Sequence, residues 1–336
     1  MKAYEIQSFG DAGGLHLVDH SDPKPGDSQV LVRIRAVSLN YRDLVVLRGL
    51  YDRSPKPGRI PCSDGAGEVL AVGSRVSQFN PGDRVAGCFF QAWDEGKFRA
   101  EYHRSALGGQ IDGVLSELVL FDEKGLVDLP EGYSFEEGAT LPCAALTAWQ
   151  SLFVRGGLTA GESVLLLGTG GVSIFGLQFV KAAGAKAVIT SSSDEKLQRA
   201  RELGADETIN YKTTPAWGKE AARLSGGDGI DHVVEVGGAG TFQESVRACG
   251  FNGKIGLIGI LSGRETPTEI FSIVPKGLSV FGIYVGNRAM FLQMNRALTQ
   301  NRIRPIIDRV FPFSEAPDAF RHLESGAHFG KIVISV

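Results

Sequence analysis

The sequence predicts an α/β chain in two parts: a β-rich first part built like a small barrel, and a doubly wound parallel sheet. Three observations predict it. The first third of the chain alternates apolar and polar residues between glycine and proline turns. From Ser163 onward, short apolar runs alternate with helical patterns, which is the pattern of a parallel sheet with crossover helices. Finally, Ser163–Leu167 is a buried-type strand that runs directly into the glycine-rich turn Gly168-Thr169-Gly170-Gly171-Val172-Ser173.

Each element can be justified in turn. Met1–Ile6 reads as a strand with no signal-peptide core. Val30–Val37 alternates as a half-buried strand, and Gly65–Gly73 is another. Pro81-Gly82-Asp83 is a turn before a third. Small β-rich parts with this punctuation are usually barrels. Ser134-Phe135-Glu136-Glu137 is a capping box, and a helix follows through Trp149. Strands are expected at 163–167, 187–190, 207–210, 232–236, 253–259 and 279–283, with helices between most of them, one from Asp194 to Leu203. A further helix runs from Met290 to Gln300. Lys331–Val336 alternates as a strand that returns to the first part's sheet. The expected boundaries are 1–125, 126–284 and 285–336.

Composition excludes several classes. The 336 residues suggest two domains and a generous core. Net charge is −3 with a pI near 6.1, so no basic excess serves a nucleic-acid backbone. The apolar runs are far short of a membrane span. Cys62, Cys88, Cys143 and Cys249 are scattered and make no disulfide framework. A cytoplasmic enzyme acting on a small molecule is the expectation.

Strand, glycine turn, helix and strand (Ala187–Thr190) together form the unit that binds dinucleotides. Glycines let the backbone approach a pyrophosphate, and the helix start offers N–H groups and a positive dipole end. Gly168, Thr169, Gly170, Gly171 and Val172 are therefore cofactor-binding candidates. The third glycine of the usual motif is Ser173 here.

The residues now resemble a known family. The glycine turn, Asn40-Tyr41-Arg42-Asp43, Ile60–Val69, Leu146-Thr147-Ala148-Trp149 and Gly330-Lys331-Ile332-Val333 are together similar to the medium-chain dehydrogenase/reductase superfamily, of the zinc-independent, quinone-oxidoreductase-like kind. The resemblance spans the whole chain. It implies a GroES-like β-barrel catalytic domain, a Rossmann domain, an active site in the cleft between them, and hydride transfer with a nicotinamide cofactor. It also implies a homodimer in which strand 279–283 pairs with its mate. It adds Thr147, Gly237 and Ile258 to the cofactor-binding set.

Zinc-dependent relatives carry Gly-His-Glu where this chain has Cys62-Ser63-Asp64. Their first cysteine ligand falls in the Asn40–Asp43 box, which has none, and their third falls at Cys143. One thiol cannot hold a catalytic zinc, so no metal is expected, and Cys143 reads as a buried small residue. Without a Lewis acid, quinones and α,β-unsaturated carbonyls are the easiest acceptors, and the protein supplies orientation and a hydrogen-bond donor. Asn40, Tyr41 and Tyr51 are candidate donors, and the resemblance places Asn40 and Tyr51 at the nicotinamide. A further tyrosine of some relatives is Val45 here. Asp43 is a candidate general base for alcohol oxidation, or else a partner of Arg42 or Arg48 or a cap.

The acidic residue that normally ends the second strand and binds the ribose of NAD is Ser191. Lys196 and Tyr211 match positions around the 2′-phosphate in NADPH-dependent relatives. NADP(H) is therefore expected, with NAD(H) the alternative if Asp194 reaches the ribose. The leading reading is an NADPH-dependent quinone or enone reductase. The alternatives are a zinc-independent alcohol dehydrogenase and a cofactor-binding protein without turnover.

Overall fold

The computed structural model describes residues 1–51, 55–263, 265 and 269–336. It divides into two compact units, Met1–Leu146 with Gly286–Val336, and Thr147–Val285.

The first unit begins with β1 (Lys2–Ile6) and β2 (Leu15–Asp19), an antiparallel pair. There follow β3 (Gln29–Ser38), β4 (Asp64–Val72), β5 (Arg84–Gly87), β6 (Leu118–Asp122) and β7 (Leu126–Asp128). The second unit holds β8 (Ser163–Leu166), β9 (Lys186–Ser191), β10 (Glu207–Asn210), β11 (Ile230–Glu235), β12 (Cys249–Leu257) and β13 (Ser279–Gly282). The chain then returns to the first unit with β14 (Ile307–Pro312) and β15 (Lys331–Ser335).

In the first unit the sheet order is β14-β15-β3-β4-β5-β7, with β6 also on β3. The alternation of Val30, Val32 and Ile34 puts those side chains into the core, where Phe121, Phe320 and Ile332 meet them. β15 lies between β14 and β3, so the last strand is interior and almost wholly buried. Residues 126–146 stay with this unit because β7 pairs with β5 and the helix Phe135–Ala139 packs on β3 and β4. The capping box is formed: Ser134 Oγ accepts from Glu137 N–H (3.1 Å), and the Glu137 carboxylate accepts from Ser134 N–H (2.8 Å). The helical path runs on past Trp149 to Arg155, through two stretches of wide i→i+5 turns at 141–145 and 150–155.

The second unit is one parallel sheet of order β10-β9-β8-β11-β12-β13. The order reverses between β8 and β11, and ligands bind at the carboxyl ends of strands beside such a point. β13 forms one edge, with Val280 partly exposed. Among the described residues no helix is long and apolar enough to cross a membrane.

Candidate functional site

The second unit builds its site around the turn that leaves β8. Gly168 takes φ +72°, a conformation only glycine adopts cheaply, and its N–H donates to Thr190 Oγ1 at the end of β9 (3.2 Å). Gly170 caps the helix Gly171–Ala182, and Ile174 N–H returns to Gly170 O (3.0 Å). A Cβ built on Gly168 or Gly170 meets nothing within 4 Å, so the space beside the turn is open. Thr169 is buried beside it, and Gly171 and Val172 open the helix. Ser173 is fully buried, and its hydroxyl donates to Leu167 O (2.6 Å), latching the helix to the strand. Close helix–strand contact moves one turn on, to Gly176, where a Cβ would stand 2.8 Å from Leu166.

Ser191 ends β9, buried, and its carbonyl accepts from Tyr211 N–H (3.1 Å), which brings the two residues together. Lys196 lies in the first turn of the helix Asp194–Glu202, and its N–H donates to the N-cap hydroxyl of Ser193 (3.3 Å). Ser193, not Asp194, is thus the cap. Asp194 accepts instead from Asn210 Nδ2 (2.7 Å). Gly237 is buried just after β11, and Ile258, just after β12, donates its N–H to Glu235 O (2.9 Å). Thr147 is buried at the start of this unit.

The first unit gathers a buried polar cluster. Asn40 caps the short helix Tyr41–Leu47, and its N–H donates to Asp43 Oδ2 (2.8 Å). Asp43 is fully buried, with Arg42 Nη1 3.3 Å from its other oxygen. Asp43 therefore closes a cap and pairs with Arg42; Arg48 is engaged elsewhere, with Glu324 (2.6 Å). The Arg42 guanidinium lies over the rings of Tyr51 and Phe89 (4.4 and 4.9 Å) and donates to Leu107 O (2.8 Å). Lys331, buried on β15, donates to Leu39 O and to Asn40 Oδ1, both at 2.6 Å. This bond fixes the Asn40 amide, leaving Nδ2 as its donating end. Tyr41 is 37% exposed and faces outward near Arg48, neither in the barrel core nor in this cluster.

At the positions that hold zinc in zinc-dependent relatives, the groups are otherwise engaged. Ser63 Oγ donates to Asp64 (2.7 Å), whose other oxygen accepts from Cys143 N–H (3.1 Å). Cys143 is half-buried rather than buried, and desolvation holds its thiol well above the usual range, so it stays protonated. Burial likewise raises Asp64, against the pull of Lys331. Among the described residues no three His, Cys, Asp or Glu side chains stand together as a metal would need. With an ammonium already bonded to Asn40, these residues do not fit a catalytic zinc. Cys62 takes φ +70° where those relatives carry glycine, a strain of about 1 kcal/mol.

Burial pushes the Asp43 carboxyl up to about 6, against the pull of Arg42. Its unfolded value is about 4. The folded chain then binds the extra proton between these values, so the contribution of Asp43 to stability is greatest below about pH 4 and is lost as pH rises through about 6. Urea unfolding across that range is expected to show wild type losing stability relative to Asp43→Asn, with no further change above pH 7. A difference between the two that is flat with pH would refute the shift.

Arg42 and Lys331 escaped sequence reasoning as site residues. The available signal was a lysine opening an otherwise apolar strand, and an arginine inside a short apolar helix.

Comparison with known proteins agrees with this geometry. An alcohol dehydrogenase GroES-like domain model matches residues 26–131, and a zinc-binding dehydrogenase model matches residues 171–300. A zinc-type alcohol dehydrogenase-like protein of Schizosaccharomyces pombe is 42% identical over 319 residues, covering 93% of this chain and 92% of its own. Quinone oxidoreductase of Pseudomonas aeruginosa is 31% identical over 346 residues, covering 99% of both. A solved NAD-dependent alcohol dehydrogenase matches with TM-score 0.91 and 33% identity, covering 100% of both chains. The chain belongs to the medium-chain dehydrogenase/reductase superfamily and is an NAD(P)H-dependent oxidoreductase.

Proposed function

We propose that the protein reduces a quinone or an α,β-unsaturated carbonyl with NADPH and without a metal. One observation supports this reading: Lys331 and Asp64 already engage the residues at the zinc positions, which favours polarisation of a carbonyl by hydrogen-bond donors. When bound, the nicotinamide supplies the hydride. The open glycine turn holds its pyrophosphate, with Thr169, Gly170, Gly171 and Val172 at the helix start. Thr147, Gly237 and Ile258 line the remainder. Tyr51, braced by Arg42, is the donor to the substrate oxygen, with Asn40, whose Oδ1 is held by Lys331 and whose amide also faces Asp64, beside it. Alcohol oxidation with Asp43 as base is disfavoured, because both its oxygens serve the cap and Arg42. The open edge at β13 supports a homodimer through that strand.

Ser191, Lys196 and Tyr211 share one corner, and Asp194 is held by Asn210. This supports NADPH over NADH. A lysine–phosphate bond is worth about 1.5–3 kcal/mol, a preference of about ten- to a hundredfold. Lys196→Ala is expected to weaken NADPH alone, and Ser191→Asp to go further by repelling the phosphate. Dissociation constants for both cofactors in wild type and variants check this; equal weakening of both by Lys196→Ala would count against it. NADPH oxidation by a quinone or an enone should persist in chelator. Alcohol-dependent reduction of NAD(P)+ that chelation abolishes would overturn the metal-free reading.

A further inference from the structure

Glu235 ends β11 with its side chain fully buried, and among the described residues no Lys or Arg pairs with it. Its Oε1 accepts from Gly237 N–H (2.8 Å), Gly238 N–H (2.9 Å) and the Thr241 hydroxyl (2.6 Å). Its Oε2 accepts from the Ser245 hydroxyl. Its main-chain oxygen accepts from Ile258 and Gly259 N–H (2.9 and 3.2 Å). One residue therefore ties the loop 236–241, after β11, to the loop 258–263, after β12. The loops are also fitted to each other. Ser262 N–H donates to Gly237 O (2.7 Å), and Ser262 Oγ accepts from Gly240 N–H (2.9 Å). A Cβ on Gly259 would stand 1.8 Å from Val236 O, and Gly238 takes φ +89° with the Gly259 carbonyl against it.

Both loops stand at carboxyl ends of strands, on the side of β8 away from β9. A dinucleotide laid across a doubly wound sheet puts its two halves on opposite sides of the switch point. The Ser191 corner at β9 takes the adenosine half, which leaves these loops to the nicotinamide half. We infer that Glu235 is a positioning residue for the nicotinamide half of the cofactor: its carboxylate holds the 236–241 loop, against which the 258–263 loop is fitted. The inference rests on the cofactor reading given above. A carboxylate suits the task because each oxygen is an acceptor and every group facing it can donate. Glutamine keeps the Oε1 bonds and asks only that Ser245 turn to accept, whereas leucine loses all four.

The test uses Glu235→Leu, Glu235→Gln and Thr241→Val. Calorimetry would measure binding of the intact cofactor, NADPH or NADH as wild type prefers, and of ADP, which reaches only the adenosine side. Glu235→Leu and Thr241→Val should weaken the intact cofactor about ten- to a hundredfold and leave ADP unchanged. Glu235→Gln should fall much closer to wild type. If Glu235→Leu fails to fold, Thr241→Val decides alone, because it removes one donor at nearly constant volume. Parallel weakening of ADP and cofactor, or an unchanged cofactor affinity, would overturn the role of Glu235. A wild-type chain that binds neither nicotinamide dinucleotide would overturn the cofactor reading, and this inference with it.

Discussion

Gly170→Val is expected to fold like wild type and to lose cofactor binding. The backbone at Gly170 is extended (φ −79°, ψ −179°), a conformation valine favours. An added Cβ meets no protein atom within 4 Å, so the position leaves room for a side chain in the unliganded chain. The same side chain occupies the space in which the pyrophosphate must approach the helix start, and it keeps phosphate oxygens from the N–H groups there. Several charge-assisted hydrogen bonds are lost together, at about 1.5–3 kcal/mol each, so a loss beyond a hundredfold is expected. Thermal melting should fall by no more than a few degrees, the cost of a poorer N-cap residue at a site without close contacts. Undiminished affinity in a calorimetric titration would show that the turn does not hold the cofactor.

Lys331→Met is expected to give the largest loss of stability. Methionine nearly matches the length and bulk of lysine, so packing changes little. It leaves Leu39 O and Asn40 Oδ1 without a donor, and removes a cation from beside Asp43 and Asp64. Breaking a buried charge arrangement by deleting one member costs about 3–5 kcal/mol. Scanning calorimetry should show a midpoint lower by roughly 10 °C. Turnover should fall as well, because the Asn40 amide is then free to rotate. An unmoved midpoint would mean that the ammonium contributes nothing net to the fold.

Periodicity and turn chemistry carried most of the fold. The six expected strands of the second unit lie at β8 to β13, and the glycine turn sits where its spacing put it. Such features are local: a strand buried on both faces is a short apolar run, and a tight turn needs glycine wherever it occurs. The boundary near residue 125 could not be read in the same way. Whether β7 and the helix Phe135–Ala139 join the first unit depends on pairing with β5 and packing on β3 and β4, which lie far back in the sequence. The site divides likewise. The glycine turn is contiguous and legible. The cluster around Asn40 draws on Asp64, Cys143 and Lys331, whose proximity comes only from the sheet order β15-β3-β4. Ser173 illustrates a third case, in which a serine at the motif's last glycine position bonds the strand and the close helix–strand approach lies at Gly176.

The interior place of β15 has a consequence for how the protein is made. Ribosomal synthesis delivers Thr147–Val285 as one unbroken stretch, so that unit can fold as soon as it emerges. The other unit holds β3, β4 and β6 ready early, but Ala36–Ser38 of β3 lack their partner strand until residues 331–335 leave the exit tunnel. Until then, Ala36–Ser38 of β3 stand as an unpaired edge beside apolar side chains, a state in which nascent sheets are open to wrong partners. The strand that closes this edge also delivers Lys331 to Asn40. Completion of the sheet and assembly of the polar cluster are therefore a single event, and a chain that stalls short of it has the parallel-sheet unit but not the Asn40 cluster.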